Sequence, residues 1–197
     1  MGKLIYLMGK SSSGKDTIYK KLLENDRLSL KNIVTYTTRP IRAGENEGVE
    51  YFFTDEDGVQ KWEQAGKIIE LRSYHTFHGI WKYFTVDDGQ FDFEKGNYIM
   101  IGTLESYQMT KAYFGTEKMV PIMIDLDDGV RLERALKRER SQEYPKYQEM
   151  CRRFLADEED FSEEKQKEAG ELKHFYNGDL AECLKQIEGY LLKCFHE

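Results

Sequence analysis

The stretch Gly9-Lys10-Ser11-Ser12-Ser13-Gly14-Lys15-Asp16-Thr17 decides how the rest of this 197-residue chain is read. Before it, Leu4-Ile5-Tyr6-Leu7-Met8 is a short apolar run that predicts a buried strand. After it, Ile18-Tyr19-Lys20-Lys21-Leu22-Leu23 has helical apolar spacing. Strand, glycine-rich turn and helix form the context that a phosphate-binding P-loop requires. Gly9 and Gly14 let successive backbone N–H groups point at one anion, and the helix adds the positive end of its dipole. Lys15 then reaches outer phosphates as a point charge. Where the pattern has Ser or Thr after Gly-Lys, this chain has Asp16, with Thr17 next. Two readings follow for Mg²⁺: Asp16 binds it directly or through water, or Thr17 supplies the missing hydroxyl.

Working outward, strands alternate with helices, which implies a parallel sheet with right-handed crossovers. Helices are predicted over about 14–24, 54–64, 104–114, 127–140, 147–168 and 180–192, with strands at 32–35, 50–53, 67–74, 77–86, 97–101, 118–124 and 172–176. The β-rich stretch at about 36–90 interrupts the α/β core. Within it, Arg39 and Arg42 sit three apart in a loop stiffened by Pro40, suited to gripping one phosphate by bidentate bonds. Thr35, Thr37, Thr38 and Tyr51 supply hydroxyl donors nearby.

Composition narrows the classes. At 40% hydrophobic and 33% charged, the chain is an ordinary globular one, and it has no run of about 18 apolar residues to cross a membrane. The start leads straight into the first strand, so no signal peptide is expected. A net charge of −7 argues against a nucleic-acid surface. Cys151, Cys183 and Cys194, without CxxC spacing, suggest reduced thiols and a cytoplasmic location.

Thr37-Thr38-Arg39, Arg42-Ala43-Gly44-Glu45, Gly48 and Tyr51-Phe52-Phe53 resemble the monophosphate-binding signature of guanylate kinases. The resemblance also takes in the P-loop, Ile69-Glu70, His78-Gly79, the arginines of 131–153 and Tyr176-Asn177-Gly178-Asp179-Leu180. It implies a three-layer α/β P-loop kinase core (1–35, 91–136 and 158–197), a monophosphate-binding insertion at about 36–90 and a helical lid at about 137–157. It implies phosphoryl transfer from ATP with Mg²⁺ to GMP or dGMP. The donor's phosphates fall to Gly9, Ser11, Ser12, Ser13, Gly14, Lys15, Asp16 and Thr17, with Asn177 beside them. The acceptor falls to Thr35, Arg39, Arg42 and Tyr51 at its phosphate, and to Glu70 and His78 at its base. Arg134, Arg138 and one of Arg152 or Arg153, taken as Arg153, are the lid arginines that join Lys15 and Arg39 in catalysis. Small nucleotides are the implied partners. Two other readings stay open: a kinase of the same fold for another nucleotide or a phosphorylated sugar, and a catalytically silent phosphopeptide-binding module.

The chain departs from the family pattern at several positions, of which two bear on the base and the metal. His78-Gly79-Ile80 lacks the hydroxyl that helps read guanine, and Ile101-Gly102-Thr103 stands where the family has Asp-x-Asp. One hypothesis links the second departure to Asp16, a carboxylate lost from one wall of the metal site and regained on another. On that hypothesis Asp16→Ser raises the Mg²⁺ concentration needed for half-maximal activity; an unchanged Mg²⁺ titration would sink it.

Overall fold

Strand β1 (Leu4–Met8) is buried along its whole length, and period-two alternation sends its side chains to two different cores. Ile5 and Leu7 face one core with Ile18, Leu22, Ile187 and Leu191. Leu4, Tyr6 and Met8 face the other with Leu104, Tyr107, Phe161 and Ala169. A strand apolar on both faces belongs inside a sheet covered by helices on each side. The computed structural model, which describes residues 2–42, 44–76 and 79–196, has this arrangement.

The central sheet is wholly parallel. It places β1 between β7 (Tyr98–Ile101) and β8 (Met119–Asp125), with β2 (Lys31–Asn32) beyond β7 and β9 (Lys173–Tyr176) beyond β8. Helices α1 (Lys15–Leu23) and α7 (Leu180–His196) cover one face. On the other lie α3 (Leu104–Phe114) and α6 (Glu163–Ala169). The three-layer parallel α/β class read from the sequence is therefore the observed one. Helix α4 (Asp128–Arg140) begins at Asp127, whose carboxylate accepts from the Val130 amide.

A second sheet of four strands has the order β4 (Phe52–Phe53), β3 (Tyr36–Thr37), β6 (Gly79–Val86), β5 (Ile68–Thr76). Helix α2 (Glu56–Gln64), capped by Asp55, covers one of its faces, where Val59 packs on Phe84 and Val86. The ladder pairs Glu70 with Thr85, Arg72 with Tyr83, and Thr37 with both Tyr83 and Phe53. Alternation therefore gathers Thr37, Tyr51, Phe53, Glu70, Arg72, Tyr74, Tyr83 and Thr85 on the face away from α2.

Two expectations need correction. The helix expected over 147–168 is two helices, α5 (Tyr147–Asp160) and α6, because Phe161 turns into the core and the Ser162 hydroxyl caps α6 by accepting from the Lys165 amide. The strand expected at 32–35 ends its ladder early. Ile33 and Val34 are buried, but the Gln90 side chain takes both backbone groups of Val34, at 2.9 and 3.1 Å. Thr103 has a structural use: with Ser106 it closes a capping box on α3. Among the described residues the three cysteines are free, and no helix is long and apolar enough to cross a membrane.

Ile5 reports on the central packing. We expect Ile5→Ala to lower the unfolding free energy by about 2–5 kcal/mol in urea titrations. Leu155→Ala, on an exposed face of α5, should stay within about 0.5 kcal/mol.

Candidate functional site

The chain leaves β1 through Gly9, whose φ is +155°, and enters α1 from Gly14, whose φ is +93°. A Cβ at Gly14 would lie 2.3 Å from Asn177 Nδ2, so the second glycine is required by space as well as by its left-handed backbone. Ser12, between them, also holds a positive φ of 64°, a conformation that a serine keeps only under constraint from its surroundings. The constraint is visible. Asn177, just past β9, donates from Nδ2 to the Ser13 carbonyl at 2.7 Å and ties the turn to the next strand end.

Three polar atoms in this turn region are buried without a protein partner: Ser12 Oγ, Ser13 Oγ and Asn177 Oδ1. Native proteins rarely leave such atoms unsatisfied unless a ligand or ion completes them. Above the turn opens a cavity of about 380 Å³. Asp16 and Thr17 from the first turn of α1 line it, with Arg134 and Arg138 from α4 and Asn177 opposite. Lys15, half-buried, opens α1. The cradle thus presents helix-start amides, hydroxyls and cations to one space, which suits a polyphosphate. The carboxylate of Asp16 and the hydroxyl of Thr17 are hard oxygen donors on that space, the type Mg²⁺ takes alongside water and phosphate oxygens.

Arg39 lies on the second sheet. It is 3% exposed, with its guanidinium 5.4 and 5.5 Å from the ring centres of Tyr51 and Phe53. Glu45 holds it bidentately, at 2.9 and 2.8 Å, and also accepts from the Arg42 amide at 2.8 Å. One carboxylate therefore fixes the loop that carries both arginines. The bonds from Arg39 keep the Glu45 carboxyl below the usual range, so it stays ionised at neutral pH. Burial raises the Tyr51 phenol, which stays a donor. Thr35 is half-buried, its carbonyl accepting from the Phe52 amide, and the Arg42 side chain is exposed.

Other expected residues fall differently. Arg153 and Arg152 both pair with Glu149 on the exposed surface of α5, and neither lines the cavity at the P-loop. Those pairs hold the Glu149 carboxyl down at about 2. Glu70 is 2% exposed and already bonded to Arg72 and Thr85. His78 lies outside the described residues. Downstream of Ile80, where the hydroxyl is absent, Lys82 pairs with Glu56 of α2, while Tyr83 lies on the Arg72 face.

The sequence reading missed Arg131. It is 1% exposed and stacks on Phe154, its guanidinium 4.8 Å from the ring centre. Its Nε donates to the Ser11 carbonyl at 3.0 Å, and its other nitrogens reach Asp128, Asp157 and Glu158. Asp157 in turn accepts from the Ser11 amide at 2.8 Å. The P-loop, α4 and α5 are thus joined through one buried cation. Its only sequence signal was Asp128 three residues earlier, and that spacing alone is common on exposed helices.

The comparisons with known proteins agree with this picture. The family model described as guanylate kinase matches residues 1–80. A guanylate kinase of Mycoplasma mobile is 39% identical over 82 residues, which is 41% of each chain. One of Clostridioides difficile is 40% identical over 80 residues, 40% of this chain and 38% of that protein. The chain spans about two fifths of the length of these curated relatives in the matches. The crystal structure of guanylate kinase from Anaplasma phagocytophilum superposes with a TM-score of 0.64 at 22% identity, covering 98% of this chain and 85% of that one.

Arg131→Met would leave Asp157 without its buried partner. We expect a loss of about 3–5 kcal/mol in unfolding free energy, partly regained in the Arg131→Met/Asp157→Asn double variant. A loss below about 1 kcal/mol would show that the cation is not a structural tie. The resemblance read from the sequence holds: the chain is similar in sequence to guanylate kinases over residues 1–80, and its fold matches that of a guanylate kinase across its length.

Proposed function

We propose that the protein transfers a phosphoryl group from ATP to a nucleoside monophosphate, with GMP and dGMP as acceptors. The observation that carries this reading is the turn at 9–17. The hydroxyls of Ser12 and Ser13 are buried there without a protein partner, Ser12 borders a cavity that α4 lines with two arginines, and the exposed Arg42 of the 39–45 loop adds positive charge for a second anion. The relatives that match residues 1–80 bear the name guanylate kinase, which supports the same acceptor.

Each residue then has a physical task. The amides of the turn beyond Ser11, the hydroxyls of Ser12 and Ser13, and Lys15 hold the donor's phosphates, with Asn177 bracing the turn; Ser11, expected among them, already gives its amide and hydroxyl to Asp157. Arg39 and Arg42, with Tyr51 and Thr35, hold the acceptor's phosphate. Arg134 and Arg138 neutralise charge at the transferring group, joined by Arg153 once α5 closes over it. Asp16 and Thr17 hold Mg²⁺, which when bound offsets phosphate charge. No covalent enzyme intermediate is needed. The catalytic gain lies in placing two anions in line, offsetting their repulsion and excluding water. The domain reading follows: a core of 1–35, 91–136 and 158–197, an acceptor-binding insertion at about 36–90 and a lid at about 137–157. A cytoplasmic setting with small nucleotides as partners, rather than nucleic acid or membrane, fits the acidic composition.

The test is ADP formation from ATP and Mg²⁺ with GMP, dGMP, AMP, CMP, UMP and dTMP supplied separately. We expect turnover with the guanine nucleotides, reduced at least a hundredfold by Lys15→Met, in line with the loss of one charge-stabilising donor. Turnover with another acceptor alone would discard guanine but keep the phosphotransferase. No ADP with any of these acceptors would discard the nucleoside monophosphate kinase and leave the sugar-phosphate kinase and phosphopeptide-binding readings.

A further inference from the structure

We infer that the acceptor site reads its base through Arg72 rather than through Glu70. It then selects 6-oxopurine monophosphates by their carbonyl edge and gives little weight to the 2-amino group. The inference rests on the acceptor reading above and deepens it.

The first observation concerns Glu70. Its side chain is fully buried. Oε1 accepts from the Thr85 hydroxyl at 2.7 Å and from Arg72 Nη2 at 3.4 Å, and Oε2 accepts from Arg72 Nε at 2.9 Å. A carboxylate engaged in this way by its own chain has its charge offset and its approach covered. To read the N1–H and 2-amino donors of guanine it would first have to shed a guanidinium, at the cost of a charge-assisted pair.

The second observation concerns Arg72. Strand alternation puts it on the face that also carries Tyr51, Tyr74 and Tyr83, and Arg39 rests against the Tyr51 ring on that same face. Tyr83 pairs with Arg72 across the ladder and packs edge-on against Tyr51, whose ring Arg39 also faces, so one row of aromatic rings links the two cations. Glu70 uses the Nε and Nη2 side of the guanidinium fork. The other side, Nη1 with the second hydrogen of Nη2, has one described partner, the Tyr74 hydroxyl, at a long 3.5 Å. That edge offers two parallel donors held in place by a buried carboxylate. Two acceptors side by side are what a 6-oxopurine shows at O6 and N7, and this is the commonest specific pairing of arginine with a base. Adenine presents an amine in place of O6 and opposes such a fork. Pyrimidines lack N7. With Glu70 covered, the strands of this face carry no other carboxylate among the described residues to distinguish the 2-amino group.

The experiment compares GMP, IMP and AMP, by calorimetric binding without ATP and by kcat/KM with ATP and Mg²⁺. We expect GMP and IMP to agree within about tenfold, since a site that hydrogen-bonds a group rejects the analogue lacking it by about 10⁴–10⁵. AMP should fall behind both by about a hundredfold, the range of one bidentate contact. Arg72→Ala should narrow the GMP-to-AMP gap, and Arg72→Lys should restore only part of it, because a point charge lacks the fork. A preference for GMP over IMP of a thousandfold or more in the unaltered protein would overturn the inference while leaving the kinase reading intact. An unchanged GMP-to-AMP ratio in a folded Arg72→Ala protein would also overturn it. Equal binding of GMP and IMP, both tighter than AMP, with no phosphorylation of either, would support the inference and remove the kinase reading. Failure of every monophosphate to bind would remove both.

Discussion

The five fully buried side chains of β1 constrain the rest of the molecule. A strand apolar on both faces has to be enclosed, and its alternation commits odd positions to α1 and α7 and even positions to α3 and α6. With the strand clamped between β7 and β8, its carboxyl end is fixed in space. The turn at 9–14 is then anchored at its start, and its one positive-φ residue that is not glycine, Ser12, is held by its surroundings rather than by preference. Rigidity of this kind matters for phosphate chemistry, because donors already in position need no reorganisation when charge develops.

The same economy appears at the second sheet. Glu45 serves one guanidinium and one amide, so the arginine loop has a single organising anion. Glu70 serves Arg72 and Thr85. In both places a carboxylate acts inside the protein as a brace for a cation. Arg131 is the reverse case, a cation bracing carboxylates from two helices against the Ser11 carbonyl.

Which of these features could be read from the chain follows from how local they are. The P-loop was legible because strand, turn and helix are contiguous and each glycine has a local reason. Helix α3 was legible because Gly115 stops it, while the capping box of Thr103 and Ser106 at its start went unread. The break between α5 and α6 was not, since it depends on Phe161 finding a core built from β1 and α3. At the site, the arginine loop was visible as a spacing of Arg39 and Arg42, but the bracing by Glu45 was not. The base-reading role expected of Glu70 rested on its likeness to a family position. That likeness could not show that Arg72, two residues later on the same face, would cover the carboxylate. Arg131 was invisible for the same reason: its partners come from α5 and from the loop after β1, and only the fold brings them together.

The position of β1 also bears on how the chain comes to be folded. Its two ladder neighbours are residues 98–101 and 119–125, about a hundred residues away. Residues 1–80, the part that relatives identify by sequence, contain only β1 and the two-residue β2 from the central sheet. In those first 80 residues β1 and β2 do not touch, because β7 lies between them. During synthesis the most recognisable part of the protein therefore emerges with both edges of its central strand open. It waits for distant sequence before any sheet exists to hold it, a topology that slows folding and exposes apolar surface along the way.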